Sequence, residues 1–223
     1  MEVIVHETPR EASAAVAVSI ADAISGKQGR FSWGLAGGST PARTYRHLRD
    51  APVDWSKVDG WLADERWVPR DSDRCNGRMV ARLLFDRVPA RLYQPEWGED
   101  LSPHDSALRY EAVLKTLHED SADLVFLGLG DDGHTASLFP GSPALSETGR
   151  QFVENTIPDS GEIRLTATFP LLHAAQQIIF LVFGESKAEA LRDSLRGETP
   201  AGLVNEGSAR VEWHVDQLAA SLL

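Results

Sequence analysis

One cysteine, Cys75, stands in 223 residues, which excludes an internal disulfide and any cysteine-built metal cage. Long apolar runs are missing too. No stretch approaches the ~18 consecutive apolar residues of a membrane-spanning helix. The opening Met1-Glu2-Val3-Ile4-Val5-His6-Glu7 lacks the basic and apolar regions of a secretory signal. The expected setting is the cytoplasm, with no membrane partner. Basic charge is scarce: 22 Lys and Arg against 33 Asp and Glu leave a net charge of −11. With neither a basic run nor a basic helix, a nucleic-acid partner is not expected, whereas a small anionic substrate needs only a few well-placed cations. The seven histidines show no His-x-x-x-His ligand spacing, so no metal is expected. Internal repeats, low-complexity tracts and linkers are absent as well.

What is present is ordinary for a globular protein, 42% hydrophobic and 25% charged residues, in a chain that suits one domain, residues 1–223, with ample length to bury a core. Short apolar runs alternate with amphipathic stretches. Val3–Val5, Phe31–Ala36, Gly60–Ala63, Leu124–Leu127, Gln177–Phe183 and Val211–Val215 read as strands, and Gln151–Asn155 and Arg164–Thr168 as two more. Helices are expected over residues 10–25, where Ala12, Val16, Ile20 and Ile24 recur at four-residue spacing, and after Thr40-Pro41, with Thr40 as N-cap. Others are expected from Asn76, from Ser102-Pro103, and from Ser186-Lys187-Ala188-Glu189, a capping-box pattern. Asp216 is placed to cap a short terminal helix, and Pro89 to Ser102 reads as a surface connection. This alternation implies an α/β fold, a mainly parallel Rossmann-like sheet with helices on both faces. In such sheets ligands bind at the carboxyl ends of the strands.

Four unusual segments fall at those ends. Gly37-Gly38-Ser39-Thr40 joins a strand to a helix start, where backbone N–H groups and the helix dipole favour an anion. It is neither a Walker loop nor a dinucleotide fingerprint, and a plain strand-to-helix turn is an equal reading. Asp64-Glu65-Arg66 follows a strand directly, as a solvated loop or an active-site rim, the loop being favoured. Lys187 in a first helical turn opposes the macrodipole, which is understandable if an anion sits there; an ordinary exposed lysine is the alternative.

The richest segment runs from Leu124 to Gly141, a strand that breaks into three glycines, two aspartates and a histidine within Gly128–His134. Gly128, Gly130 and Gly133 permit sharp turns and close approach to a ligand. Asp132 and His134 lie two apart, so a carboxylate can orient an imidazole that titrates near neutral pH. Taken together, the four segments predict one site that binds an anionic group and contains a His-Asp pair. The other histidines (His6, His47, His104, His118, His173, His214) read as surface or packing residues, and the tryptophans as core or edge residues, with Trp67 a candidate for lining the site.

These segments carry a resemblance. Gly34 through Pro41, Asp64 through Pro69 and Leu127 through Gly141, with Arg164-Leu165-Thr166 and Gly184 through Lys187, resemble the signature blocks of the 6-phosphogluconolactonase family. They are spread in order over residues 34–190, and the Asp132-Gly133-His134-Thr135-Ala136-Ser137-Leu138-Phe139-Pro140 string is the most specific. Cys75-Asn76 departs from an expected Ser-Asn.

The resemblance implies a modified doubly wound α/β fold shared with glucosamine-6-phosphate deaminases and ribose-5-phosphate isomerases. It implies hydrolysis of 6-phospho-D-glucono-1,5-lactone to 6-phosphogluconate, the second step of the oxidative pentose phosphate pathway, without metal or organic cofactor, by a monomer or weak homo-oligomer. His134 would activate water as general base, with Asp132 orienting it. The phosphate would rest on Gly37, Gly38, Ser39 and Thr40. Arg164 and Lys187 would be the foremost cations, with Arg66 either contacting phosphate or holding the loops. Asp64, Asn76, Gly130 and Gly133 would line the site. Two alternatives stand beside this reading. The related deaminases carry Phe-Asn-Glu-Pro where this chain has Ser137-Leu138-Phe139-Pro140. A sugar-phosphate sensor would carry a helix-turn-helix, which residues 1–30 lack.

Overall fold

The computed structural model describes residues 1–118 and 121–223. In chain order, β1 (Glu2–His6), α1 (Pro9–Gly26), β2 (Phe31–Leu35), α2 (Ala42–Leu48), β3 (Val58–Leu62), β4 (Asp64–Arg66) and α3 (Asn76–Leu83) make the first part. Then follow β5 (Arg91–Tyr93), α4 (Pro103–Leu117), β6 (Leu124–Gly128), β7 (Phe152–Thr156), β8 (Ile163–Ala167), α5 (Phe169–Ala174), β9 (Gln177–Val182), α6 (Ala188–Leu195), α7 (Pro200–Leu203) and β10 (Arg210–Asp216). No helix among the described residues is long and apolar enough to cross a membrane.

Seven strands form one sheet in the order β1-β10-β9-β6-β2-β3-β5, and every pairing in it is parallel. A parallel sheet needs apolar cover on both faces, and the period of two supplies it. Val125 and Leu127 of β6, with Ile178 and Phe180 of β9, join Trp213, Tyr110, Leu114 and Leu191 in one buried cluster. Leu124 and Phe126, with Ile179 and Leu181, join Val16, Ile20 and Ile24 of α1, Tyr45 of α2 and Val80 of α3 in the other. Two helix starts are capped as their sequences demand: Thr8 Oγ1 accepts the Glu11 N–H at 3.2 Å, and Ser102 Oγ that of Asp105 at 3.0 Å.

Several expectations are corrected. Asp64–Arg66, favoured as a solvated loop, is strand β4. It pairs antiparallel with β8, and β8 with β7, in a separate three-stranded sheet rather than in the parallel one. The chain steps from β3 through Ala63 into β4, where the Ala63 carbonyl accepts the Ala167 N–H at 2.8 Å and so hands the strand to its new partner. The supposed surface connection contains β5, which extends the sheet edge beside β3. Thr40 makes no cap: α2 starts at Ala42 with Pro41 in the N-cap position and no side-chain bond. The capping box at Ser186 also fails to form. Glu185–Lys187 is a short 3₁₀ turn, and α6 begins after it, so Lys187 precedes the first helical turn. Asp216 does cap the terminal 3₁₀ segment, accepting the Ala219 N–H at 2.8 Å.

The topology places the site. From β2 the chain moves to β3 on one side, whereas β6 lies on the other. The loops after β2 and β6 therefore diverge and leave a crevice at their carboxyl ends. The small sheet stands over that crevice.

Candidate active site

The crevice is a cavity of about 230 Å³. Gly37, Gly38, Ser39 and Thr40 line it from the β2 loop, Gly128, Gly130 and His134 from the β6 loop, Asp64 and Arg66 from β4, Arg164 from β8, Asn76 from α3, and Lys187 from the turn after β9. Twelve positions named from sequence thus converge, spread from Gly37 to Lys187.

Three named residues take other places. Gly133 is buried against Thr199 and its carbonyl accepts the Ala201 N–H at 3.0 Å, so it anchors the loop from behind. Asp132 stands behind the imidazole at the cavity margin and is half-exposed. Trp67 faces away, packing on Trp97 with ring centroids 6.4 Å apart beside a separate crevice.

His134 is fixed from three directions. Its Nδ1 lies 2.5 Å from Asp132 Oδ1, its backbone N–H donates to the same oxygen at 3.1 Å, and its ring stacks on Phe139 with centroids 4.0 Å apart. Gly130 completes the frame by accepting nothing larger than hydrogen on its Cα: a Cβ there would stand 2.1 Å from His134 Nδ1. Bonding Nδ1–H to a carboxylate leaves Nε2 as the acceptor nitrogen, which is the state a general base needs.

Residues 128–133 spell the G-x-G-x-x-G spacing directly after a strand. Turns follow it rather than a helix, so the context of a dinucleotide site is lacking. Thr135 and Ala136, next in the loop, also line the cavity. Ala136 is the one non-glycine residue with positive φ among those described, at 48°, in a tight turn closed by the Leu138 N–H to the Thr135 carbonyl at 2.9 Å.

The cations differ in their partners. Lys187 Nζ pairs with Asp131 at 2.8 Å, and the bond from Lys187 holds the Asp131 carboxyl below its usual pKa range. Arg164 pairs with Glu162 at 3.0 Å. Arg66 has no carboxylate partner among the described residues: its Nη1 donates to the Arg74 carbonyl at 2.7 Å and its buried Nε bonds to nothing.

Two buried carboxylates hold this wall, and the sequence singled out only one of them. Asp64 accepts from Ser137 Oγ at 2.7 Å and Asn76 Nδ2 at 3.1 Å, tying the histidine loop to α3. Glu65 accepts the N–H groups of Arg66, Asn76 and Gly77 at 2.7–2.8 Å and the Cys75 thiol at 3.3 Å. Burial raises the Glu65 pKa, and it raises that of Cys75, with help from the Glu65 charge. Cys75 is therefore a capping residue, its Sγ receiving the Arg78 N–H at 3.4 Å, rather than a reactive thiol. Among the described residues no group of three or more His, Cys, Asp or Glu side chains is arranged to hold a metal ion.

Comparison with known proteins is decisive on kinship. Residues 6–213 match the family described as "Glucosamine-6-phosphate isomerases/6-phosphogluconolactonase". The chain belongs to that family. A 6-phosphogluconolactonase of Synechocystis is 35% identical over 210 residues, covering 88% of this chain and 86% of its own, and that of Rattus norvegicus is 33% identical, covering 98% and 92%. A solved 6-phosphogluconolactonase from Trypanosoma brucei superposes with a TM-score of 0.87 at 28% identity, over 100% of this chain and 98% of the other. A solved monomeric glucosamine-6-phosphate deaminase superposes with a TM-score of 0.85, also at 28% identity, with each chain fully covered. Both branches of the family thus share this fold, and the site must decide between their chemistries.

Proposed function

We propose that the protein hydrolyses 6-phospho-D-glucono-1,5-lactone to 6-phospho-D-gluconate. The carrying observation is that the Asp132–His134 pair opens into the same small cavity as the Gly38–Thr40 turn and three cations, Arg66, Arg164 and Lys187. The turn and the cations suit a phosphate, and His134 presents a base. The relatives named above as 6-phosphogluconolactonases support the same assignment.

A lactone is an activated ester, so the reaction asks for a positioned water, a base and charge stabilisation. His134 Nε2 takes a proton from water as its oxygen bonds to C1 of the lactone. The resulting imidazolium is stabilised by Asp132 through Nδ1. As the tetrahedral intermediate collapses, the bond from C1 to the ring oxygen breaks and His134 returns the proton to that oxygen. The phosphate, held remotely, supplies orientation.

Deaminase chemistry is disfavoured by one position. Where the related deaminases carry the glutamate of Phe-Asn-Glu-Pro, this chain has Phe139, whose ring lies flat on the imidazole. A carboxylate that would serve ring opening is replaced by an apolar face.

The test is hydrolysis of freshly generated lactone, read by coupled 6-phosphogluconate dehydrogenase, with glucosamine 6-phosphate as the competing substrate. Lactone turnover well above the spontaneous rate, lost in His134→Ala, is expected. Turnover at the spontaneous rate, or ammonia release from glucosamine 6-phosphate, overturns the proposal.

A further inference from the structure

A second cavity adjoins the first between α2 and α3. It encloses about 780 Å³ and shares Gly38, Ser39, Arg66 and Asn76 with the smaller one. Arg46 of α2, Arg78 and Arg82 of α3, and Arg74 and Arg87 from the flanking loops line it with Arg66, so six arginines face only two aspartates, Asp73 and Asp86. These are six of the 22 basic residues in a chain of net charge −11. Most of this charge is uncompensated. Arg74 pairs with Glu162 and Arg78 with Asp73, but Arg46, Arg66, Arg82 and Arg87 have no carboxylate within 4.0 Å among the described residues.

Like charges gathered in one groove repel one another, and no carboxylate among the described residues pairs with these four. Ala42, Met79 and Leu83 supply apolar stretches of wall. A groove of one sign with low-dielectric walls focuses its field outward and raises the local concentration of counter-charged solutes. Its volume is that of a small-molecule site, and the strongly negative chain around it repels long polyanions. The chemistry it fits is a phosphate monoester dianion on a small molecule.

We propose that this groove is a capture vestibule: it draws in the phosphate of the substrate and passes it by way of Arg66 to the Gly38–Ser39 turn. This rests on the sugar-phosphate reading of the adjoining site. Arg46, Arg82 and Arg87 act before chemistry, on encounter, and touch neither the reacting atoms nor the bound phosphate. Arg66, at the boundary of both cavities, is the point of transfer.

The test is a triple charge reversal, Arg46→Glu with Arg82→Glu and Arg87→Glu, compared with Arg10→Glu, Arg91→Glu and Arg196→Glu, which changes the net charge equally at exposed arginines elsewhere. In the groove variant kcat/KM for the lactone should fall about tenfold at low ionic strength with kcat unchanged. The gap should close at about 0.5 M salt, where screening shortens the reach of the field. In the control kcat/KM should stay within about twofold of the parent. As a readout that needs no turnover, calorimetric titration with inorganic pyrophosphate should show about tenfold weaker binding to the groove variant only. Equal behaviour of the two variants, or no pyrophosphate binding to the parent protein, overturns the vestibule. If the parent protein fails to hydrolyse the lactone, the proposed function falls, and the pyrophosphate titration still decides the groove.

Discussion

Asp132 Oδ1 lies 2.5 Å from His134 Nδ1 and 3.1 Å from the His134 backbone nitrogen, so one carboxylate oxygen serves both the ring and the main chain of the same residue. The ring cannot rotate without giving up the bond that selects its tautomer. Removing the base in His134→Ala should lower kcat by about 10²–10⁴-fold. Asp132→Asn keeps an acceptor in place but loses the charge that stabilises the imidazolium. Its kcat should fall by about tenfold or more with KM little changed. Steady-state kinetics on the lactone decide this, and an Asp132→Asn enzyme with parental kcat would remove Asp132 from the mechanism.

Gly130 tests the same frame from the backbone side. A Cβ there collides with His134 Nδ1 at 2.1 Å and with Asp132 Oδ1 at 2.6 Å. Gly130→Ala should therefore cost kcat almost as much as losing the histidine, while thermal unfolding moves by only a few degrees, because the collision is with side chains at the half-exposed rim of the site. A large drop in Tm with activity retained would contradict this.

Glu65 is the stability counterpart. Its buried carboxylate takes three backbone N–H groups across β4 and α3. In Glu65→Gln the amide NH₂ must face at least one of those donors, leaving it unpaired. The expected loss is about 2–3 kcal/mol, read as a lower denaturation midpoint at constant slope, with a raised KM because Arg66 and Asn76 shift together.

His118 gives a pH dependence. Burial lowers its pKa to about 4, against ~6.5 for an unfolded histidine. Between those values the unfolded chain binds a proton that the folded one does not. The stabilising contribution is complete above about pH 6.5 and is lost as pH falls through 4, a total of about 3 kcal/mol. Burial also lowers the His214 pKa, so the parent protein should lose stability with more than one proton's slope in this range. His118→Gln should flatten that slope by about one proton, measured by denaturant unfolding from pH 7 to 4.5; an unchanged slope would refute the assignment.

Much of this architecture was legible in the sequence because parallel strands buried on both faces, such as Leu124–Gly128 and Gln177–Val182, advertise themselves as unbroken apolar runs. The site was legible for a related reason. Glycines, a histidine and charges clustered directly after such runs have few structural explanations. The small sheet was not. Asp64-Glu65-Arg66 carries no apolar alternation, and its strand character arises from pairing with Ile163–Ala167, a hundred residues away in sequence. Thr40 and Ser186 cap no helix, because cap residues describe a preference that tertiary contacts override; Ser186 Oγ bonds Asp131 instead. Glu65 carries no such mark, since nothing in its own segment announces that the N–H groups of Asn76 and Gly77, eleven and twelve residues on, will converge on it with that of Arg66. Ala136 gave no signal at all, for alanine at positive φ has no sequence mark.

The register of the small sheet has one more result. Arg66 and Arg164 are direct partners across β4 and β8, and both line the active-site cavity. Like charges at directly opposed positions weaken a strand pair, so the β4–β8 edge of the three-stranded sheet carries a local cost at this pair. A phosphate set between them turns that opposition into a shared clasp. Substrate and sheet would then tighten together: amide exchange along Asp64–Arg66 and Arg164–Thr166 should slow when a phosphorylated ligand enters, so that occupancy can be read from the scaffold itself.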